Sequence, residues 1–352
     1  MRIGIFSKIE MAGGSEFRCA ELANGIAKHT FHKAFLLSEK KIPSRIRQIV
    51  CDQVSVIEHV MDSDENMVIL YDMDCLIIVN TDCKNFSTLD YWTGKSPRHS
   101  RVIDLSRIRR MVFLYNFLVS PSRHLHTIQD ICNDIRIIVT NNKFYNEIDN
   151  QDRYKLVRGF PRLRLESPID PDKISIEKIL SDKIRIGCLS KSLDSKWNED
   201  YPELISIINN KYRDRIYWRF MGMNSKIAKQ LSGIPNVTIF PEFDVPVKDF
   251  LKQIDIFLFF PSWKREEPWS RSVGEAIMSG CPVITSYRGG NPDQVKPEYN
   301  GFLCKSLTDF ETSISSLIDN PSTRKRFAEN AIQFSKTFTS KAVINKLIEF
   351  VK

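Results

Sequence analysis

The chain has 352 residues, 42% of them hydrophobic and 27% charged, which is the composition of a globular protein with about two domains. It contains no apolar run of the roughly 18 residues that span a membrane, and its first residues do not form a signal peptide. We therefore expect a cytoplasmic protein. The net charge of +8 favours an anionic partner, but no nucleic-acid-binding motif is present and we expect no nucleic-acid partner.

Metal ligands and disulfides are not indicated by the sequence. The eight cysteines stand singly, without a C-x-x-C pair and without histidines at zinc-ligand spacing, so we interpret most of them as small core residues. Asp72 and Asp74 form a D-x-D pattern that can hold a divalent metal, but they precede the strand CLIIVN instead of following it. They therefore lie at the wrong end of the sheet for a ligand, and we expect no metal site.

The first predicted strand, RIGIF at 2–6, is followed by the diglycine turn Gly13–Gly14 and by a helix over 15–29 with Ser15 as its N-cap. Adjacent glycines before a helix N-terminus allow the backbone to approach a phosphate. A tight turn that binds nothing is an equally good interpretation. The spacing differs from G-x-G-x-x-G, so no dinucleotide fingerprint is present.

Basic residues are concentrated in two segments of the first half, at 40–48 and at 98–110. A solvated surface is the favoured interpretation, and a phosphorylated substrate or an acidic membrane face is the alternative. We predict that the second segment, with Arg109 and Arg110, lies near a lipid-phosphate or anionic glycan acceptor.

Short apolar runs alternate with amphipathic stretches along the whole chain, which predicts an α/β fold with mostly parallel sheets. Predicted strands include CLIIVN and YKLVRG in the first half and IDIFLFF in the second, and predicted helices lie at 15–29, 200–211, 246–253 and 272–279. Segment 158–183 contains three prolines and many charges, and we interpret it as the connection between two domains. In such a protein the ligand lies at the carboxyl ends of the strands, in the crevice between the domains.

Two lysines follow the first strand of the second half. Lys191 and Lys196 lie five residues apart in a loop before a helix, where two ammonium groups can neutralise a diphosphate. Without further context, two solvated loop lysines are the favoured interpretation.

The segment EEPWSRSVGEAIMSGCPVI at 266–284 contains the carboxylates of greatest interest. Ser272 and Glu275 form the S-x-x-E pattern of a capping box, so helix capping is one interpretation of Glu275. Glu267 has no such local role, and it lies in the loop beyond a buried strand. A second diglycine turn, Gly289–Gly290, follows the next strand.

Taken in order, these features resemble glycosyltransferase family 4, within the group 1 glycosyltransferases. The resemblance is specific over about 185–305, modest at 1–30 and faint across 31–180. The family motifs G-G-A-E and G-R-L-x-x-x-K correspond to Gly13–Glu16 and Ser190–Lys196. The motif P-S-x-x-E-x-x-G-x-x-x-x-E-A-x-A-x-G-x-P-V-I corresponds to Pro261–Ile284, and G-G-x-P-E and N-G-F-L correspond to Gly289–Asp293 and Asn300–Leu303.

The resemblance implies the GT-B fold, an α/β fold with two Rossmann-like domains facing each other across a crevice. It places an N-terminal acceptor-side domain at 1–165, completed by the C-terminal helix at about 338–352, and a nucleotide-sugar-binding domain at 183–337. It implies a retaining glycosyltransferase that moves a sugar from a nucleotide-sugar donor to a glycan or lipid-linked acceptor. Such an enzyme needs no metal or other cofactor, and it would build bacterial surface polysaccharide at the inner face of the membrane.

Carried over to this sequence, the resemblance gives each site residue a role. Glu267, Lys191 and Lys196 would be catalytic, with Glu267 at the transferring sugar and the lysines at the diphosphate. The donor-binding residues would be Gly13, Gly14, Ser270, Arg271, Ser272 and Glu275, the last of them at the ribose hydroxyls.

Three departures from the family pattern stand out. Lys191 replaces an arginine, and the chain between Ser262 and Glu267 is longer than in the family motif. Pro268-Trp269-Ser270 replaces Gly-Phe-Gly, which we expect to narrow the pocket. Two other functions remain open: a nucleotide-sugar epimerase of GT-B fold, and an inactive nucleotide-sugar-binding protein.

Overall fold

The computed structural model describes residues 1–7, 9, 14–60, 62–79, 107–115, 132, 134–151 and 158–352. The chain divides into two compact units, the first made of Met1–Pro168 with Ser340–Lys352 and the second of Ile169–Thr339. Residues 169–182, assigned to the connection by the sequence, lie in the second unit.

The first unit is built on a parallel sheet. Its described strands are β1 (Arg2–Ser7), β2 (Lys33–Ser38), β3 (Ser55–Ile57), β4 (Cys75–Val79), β5 (Met111–Tyr115), β6 (Ile135–Val139) and β7 (Arg162–Arg164). Their order is β3-β2-β1-β4-β5-β6-β7, and all these pairs are parallel. Both β4 and β5 are buried along their whole length, as expected for parallel strands covered on both faces.

The second unit repeats this arrangement. Its strands are β8 (Ile184–Leu189), β9 (Ile216–Met221), β10 (Val237–Phe240), β11 (Ile256–Phe259), β12 (Val283–Ser286) and β13 (Gly301–Cys304). They are parallel in the order β10-β9-β8-β11-β12-β13, so the direction of strand addition reverses between β8 and β11. The carboxyl ends of β8 and β11 at this reversal are the usual position of a ligand in such sheets.

Helices connect the strands in both units. In chain order, the described α-helices are α1 (Gly14–His29), α2 (Ser44–Arg47), α3 (Asp64–Tyr71), α4 (Asn142–Asn150), α5 (Tyr201–Tyr212), α6 (Ser225–Leu231), α7 (Val247–Leu251), α8 (Arg271–Met278), α9 (Asn291–Gln294), α10 (Leu307–Asp319), α11 (Pro321–Ser335) and α12 (Ser340–Val351). None of the helices within the described ranges is long and apolar enough to cross a membrane.

The last helix, α12, packs against α1 and so belongs to the first unit. Gly25 permits the close approach, because a Cβ atom at this position would lie 2.6 Å from Ile344 Cγ1 and 2.8 Å from Ser340 Oγ. The chain therefore enters the second unit at Ile169 and leaves it at Thr339, and these two residues form a parallel bridge.

Several local predictions differ from the structure. The strand β5 was not predicted, and Arg158–Gly159 of a predicted strand YKLVRG form a turn. Helix α1 begins at Gly14, so Ser15 lies inside its first turn instead of preceding it.

The described cysteines agree with the sequence interpretation. They are all free, and six of these seven are buried while Cys51 is half-buried.

The amino edge of the first sheet is held by ion pairs. Asp74 and Asp72 precede β4 as predicted, and both contact Arg2: the Arg2 backbone N–H donates to Asp74 Oδ2 at 2.8 Å, and Arg2 Nη1 lies 2.9 Å from Asp72 Oδ2. These contacts give Asp72 and Asp74 a structural role at the start of β4.

Candidate active site

The loops after β8, β11 and β12 lie side by side, because these strands are neighbours in the second sheet. They contain the lysine pair, Glu267 and the second diglycine turn, in that order. The parallel sheet therefore brings together, at one carboxyl edge, residues that are up to about a hundred positions apart in the chain.

The loop after β8 is fixed by contacts at both ends. The indole Nε1 of buried Trp197 donates to the carbonyl oxygen of Lys191 at 2.9 Å, and the Ser192 backbone N–H donates to Glu242 Oε2 at 3.0 Å. Asp194–Lys196 form a single 3-10 turn within this loop. These contacts hold Lys191 and Lys196 in a defined backbone conformation.

Glu267 is the centre of the site, and only 5% of it is exposed. Its Oε1 atom accepts hydrogen bonds from Lys196 Nζ at 2.7 Å and from Arg265 Nε. Arg265 Nη1 also donates to Ser195 Oγ at 3.1 Å. We call Ser195, Lys196, Arg265 and Glu267 the Glu267 cluster.

The charges of this cluster set its protonation. Burial acts to raise the pKa of the Glu267 carboxyl, but Lys196 and Arg265 outweigh it and the pKa is lowered. Burial lowers the pKa of Lys196, while Glu267 opposes that change. Glu267 is therefore ionised at neutral pH, which suits it to accept hydrogen bonds from hydroxyl groups and not to deliver a proton.

The second diglycine turn supports the backbone of Glu267. The Gly290 backbone N–H donates to the Glu267 carbonyl oxygen at 2.7 Å. Gly289 has a φ of 56°, and a Cβ atom there would lie 2.4 Å from the same oxygen. Only glycine fits this position, which gives the diglycine pattern a concrete structural reason.

Helix α8 begins two residues earlier than a capping box formed by Ser272 and Glu275 requires. Ser270 is its N-cap, so Ser272 lies at the second helical position and Glu275 at the fifth. The capping-box interpretation of Glu275 is therefore wrong. Glu275 Oε1 instead accepts a hydrogen bond from Arg271 Nε at 2.8 Å.

Ser270 is held in place by a residue far along the chain. Its backbone N–H donates to Gln294 Oε1 and its carbonyl oxygen accepts from Gln294 Nε2, both at 2.8 Å. This pair of bonds fixes the N-terminus of α8, the helix that contains Arg271, Ser272 and Glu275.

Trp269 packs inward. Its ring is 5.6 Å from the ring of Phe338, and a Cβ atom on Gly274 would lie 2.3 Å from Trp269 Cη2. Because most of its bulk fills the interior of the second unit, the expectation that Trp269 narrows a pocket is not supported.

The predicted residues of the first unit have different positions. Gly13 lies outside the described residues, as does the 98–106 part of the basic segment, while Gly14 is an exposed residue at the start of α1. Arg109 and Arg110 precede β5 and so lie at the amino edge of the sheet, opposite to the edge at which ligands bind.

The side chain of Arg110 makes contacts within the first unit. Its side chain donates to Asp134 Oδ2 and to the carbonyl oxygen of Val351, and Arg136 joins the same aspartate at 2.8 Å. Arg136 also donates to the carbonyl oxygen of Phe350, so the two arginines tie the end of α12 to the sheet. The Arg110 side chain therefore has structural contacts, and its acceptor-side role stays a prediction. We call Arg110, Asp134 and Arg136 the amino-edge cluster.

Sequence reasoning missed two residues of the site. Arg265 stands two positions before Glu267 in the same loop and was not predicted as a site residue, although its spacing and charge could have indicated a partner for Glu267. Gln294 gave no signal, because its contact with Ser270 joins residues 24 positions apart.

Residues 220–334, about a third of the chain, match the sequence profile of the family described as "Glycosyl transferases group 1". The predicted resemblance to group 1 glycosyltransferases is confirmed. The matched segment contains Glu267, Glu275 and the second diglycine turn, while Lys191 and Lys196 precede it.

Curated relatives cover smaller parts of the chain. Spore coat protein SA of Bacillus subtilis is 33% identical over 81 residues, which are 21% of this chain and 20% of that protein. An uncharacterized 42.6 kDa protein in the cps region of Klebsiella pneumoniae is 27% identical over 128 residues, 36% of this chain and 33% of that protein. The chain thus spans between a fifth and a third of the length of these relatives.

Solved structures match nearly the whole chain. A glycosyltransferase from Rickettsia africae has a TM-score of 0.76 at 13% identity, over 100% of this chain and 97% of that one. HepE of Anabaena in complex with UDP and glucose has a TM-score of 0.71 at 14% identity, over 99% of this chain and 98% of that one. WaaG, a glycosyltransferase involved in lipopolysaccharide biosynthesis, has a TM-score of 0.65 at 13% identity, over 99% of both. These matches confirm the predicted fold class, an α/β protein with two Rossmann-like units of the GT-B type.

Proposed function

We propose that this protein is a retaining glycosyltransferase of family 4 that transfers a sugar from a nucleotide-sugar donor to a glycan or lipid-linked acceptor. The observation that carries the proposal is the Glu267 cluster, a buried carboxylate with two cations at the strand reversal of a Rossmann-like sheet. Glu267 and Arg265 of this cluster lie in the matched part of the chain. The solved complexes of HepE with UDP and with UDP-glucose support a nucleotide-sugar donor.

The donor diphosphate would bind at the carboxyl edge of the second sheet. Lys191 and Lys196 supply positive charge there, and the N-terminus of α8 at Ser270, Arg271 and Ser272 adds backbone N–H groups. Gly14 and its neighbour Gly13 would approach the phosphates with their backbone, and Glu275 would accept hydrogen bonds from the ribose.

In the reaction, the bond between the anomeric carbon and the diphosphate oxygen breaks, and its electron pair leaves with the diphosphate. Lys191 and Lys196 stabilise this charge, and Glu267 holds hydroxyl groups of the sugar as it becomes oxocarbenium-like. The acceptor oxygen attacks from the face that the diphosphate leaves, and a phosphate oxygen of the donor takes its proton. This route retains the anomeric configuration and invokes no metal ion or other cofactor.

For the biological setting, we propose assembly of bacterial surface polysaccharide in the cytoplasm, at the inner face of the membrane. The description of WaaG and the cps-region relative support this setting. The first unit would bind the acceptor. Both predicted arginines remain proposed as acceptor-side residues: Arg109 is exposed, and the side chain of Arg110 also contacts Asp134 and the Val351 carbonyl.

A thermal-shift screen against UDP-, GDP-, ADP- and dTDP-sugars tests the donor assignment, because a bound ligand raises the apparent stability. We expect one nucleotide class to raise Tm and the Glu267→Ala protein to lose donor hydrolysis and transfer. A chain stabilised by no nucleotide sugar would contradict the proposal.

The reaction products distinguish the proposed glycosyltransferase from the two alternatives, an epimerase and an inactive binding protein. Donor converted to its C2 epimer without an acceptor would identify an epimerase. Donor bound but neither hydrolysed nor transferred would identify an inactive binding protein.

A further inference from the structure

The longer chain between Ser262 and Glu267 forms a defined turn. The Arg265 backbone N–H donates to the Ser262 carbonyl oxygen at 2.9 Å and closes this turn. As a result, Arg265 emerges two residues before Glu267 with its guanidinium against the Glu267 carboxylate. The additional length therefore brings a cation into the site.

Arg265 links two of the loops at the carboxyl edge. Its Nε donates to Glu267 Oε1 in the loop after β11, and its Nη1 donates to Ser195 Oγ in the loop after β8 at 3.1 Å. A lysine cannot reproduce both contacts in one fixed geometry, because its ammonium is a point charge and the guanidinium is a planar fork.

The two oxygens of Glu267 have different surroundings. Oε1 accepts from both Arg265 and Lys196, whereas Oε2 makes no hydrogen bond within the described residues. The side chain of Glu267 is 6% exposed and that of Arg265 is 25% exposed, so this ion pair is largely shielded from water. Such a pair restrains a carboxylate more strongly than a surface ion pair does.

We propose that Arg265 is a positioning residue that fixes Glu267 through Oε1, joins the two loops through Ser195, and leaves Oε2 for a hydroxyl of the donor sugar. The first two parts concern the protein alone, and the last part rests on the proposed function. The charged groups around the Glu267 carboxylate are Arg265 and Lys196 in contact, Lys191 acting on Lys196, and Glu266 as the preceding residue.

The ligand-free protein tests the first two parts. In protein labelled with 13C at the glutamate carboxyls, the Glu267 signal is assigned by its loss in Glu267→Gln, and its pH titration is compared among variants. We expect Arg265→Gln to raise the titration midpoint by about one pH unit, and Arg265→Lys to raise it less. Lys264→Gln, which removes a cation one residue away and exposed, should leave the midpoint unchanged. Equal midpoints in Arg265→Gln and wild type would overturn the proposal.

Binding of UDP and UDP-glucose, measured by calorimetry, tests the part that concerns the sugar. In Arg265→Gln we expect about tenfold weaker binding of UDP-glucose and less than about twofold weaker binding of UDP, because only the sugar contact depends on Oε2. In the Glu267→Gln background the Arg265→Gln change should add no further loss. Equal weakening of both ligands would overturn this part.

Failure of the proposed function can be distinguished from failure of the role proposed for Arg265. A wild-type protein that binds no nucleotide sugar would refute the proposed function, while the carboxyl titration would still decide whether Arg265 holds Glu267. Thermal melts of all variants identify any that fail to fold, and Arg265→Lys then provides the variant that keeps the charge.

Discussion

The first sheet has the same strand order as the second, with β7 added at one side, but basic side chains meet a carboxylate at opposite edges of the two sheets. In the first unit, Arg110 and Arg136 meet Asp134 at the amino edge and fix the end of α12. In the second unit, Lys196 and Arg265 meet Glu267 at the carboxyl edge, beside the N-terminus of a helix.

This difference shows that the direction of the strands gives a basic cluster its role. At the amino edge, cations face the carbonyl groups at the C-terminus of α12, which is a favourable place for them in a structural contact. At the carboxyl edge, cations share a surface with helix N-termini, and both attract anions. The number of arginines and lysines in a segment contains no such information.

The largest expected effect on stability and on UDP binding comes from a substitution at the carboxyl edge of the second sheet. Lys196→Met leaves the buried Glu267 carboxylate with one cation, so we expect a loss of about 3 kcal/mol in the free energy of unfolding and loss of UDP binding. Urea unfolding and calorimetry measure the two effects. The exposed Lys264→Met is the matched control and should change stability by less than about 0.5 kcal/mol. An unchanged UDP affinity in Lys196→Met would contradict the assignment of this edge.

Gly289→Ala probes the support of Glu267 without altering a charge. We expect a loss of about 3 kcal/mol, because the added Cβ meets the Glu267 carbonyl oxygen and the backbone is left-handed. Gly233→Ala is the matched control: its φ is 87° but a Cβ there has no atom within 4 Å. It should cost about 1 kcal/mol, the conformational part alone. Equal losses in the two proteins, measured by urea unfolding, would mean that the turn does not support Glu267.

Arg110→Gln tests whether the amino-edge cluster stabilises the fold without contributing to UDP binding. Loss of its bonds to Asp134 and the Val351 carbonyl should lower the free energy of unfolding by about 2 kcal/mol. UDP affinity should stay the same. Arg109→Gln, at an exposed position, should change stability by less than about 0.5 kcal/mol. A fall in UDP affinity in Arg110→Gln would break the distinction between the two edges.

The smallest expected effect is on the pH dependence of the free energy of unfolding. The pKa of Glu267 is lower in the folded protein than in the unfolded chain, so its contribution to stability is complete above the unfolded pKa and is lost as pH falls through the folded pKa. Wild type should therefore lose more stability than Glu267→Gln on acidification from about pH 6 to about pH 3. The difference between the two proteins is the informative quantity, since Asp134 also has a lowered pKa. Parallel curves would show that Glu267 is not held as an ion pair.

The sequence predicted much of the fold because buried parallel strands appear as short apolar runs. The runs CLIIVN and IDIFLFF gave β4 and β11, and the predicted helices 15–29, 200–211 and 272–279 differ from α1, α5 and α8 by one residue at their ends. Once the strands are parallel, Lys191, Lys196 and Glu267 must lie at one edge.

The features of the fold and the site that the sequence did not predict depend on contacts between residues far apart in the chain. The start of α8 is set by the two bonds between Ser270 and Gln294, and no local pattern could show that these override the capping-box sequence. The position of Arg265 depends on the turn at Ser262. The role of Arg110 depends on its strand direction and on a helix that is more than two hundred residues away.

The return of α12 to the first unit also has a consequence for biosynthesis. The second unit is one continuous segment, Ile169–Thr339, and all of it leaves the ribosome before α12 does. The first unit emerges earlier, but α1 lacks the helix that covers Gly25 and the amino-edge cluster lacks its carbonyl partners until α12 follows. The unit that is translated first is therefore the one that is completed last.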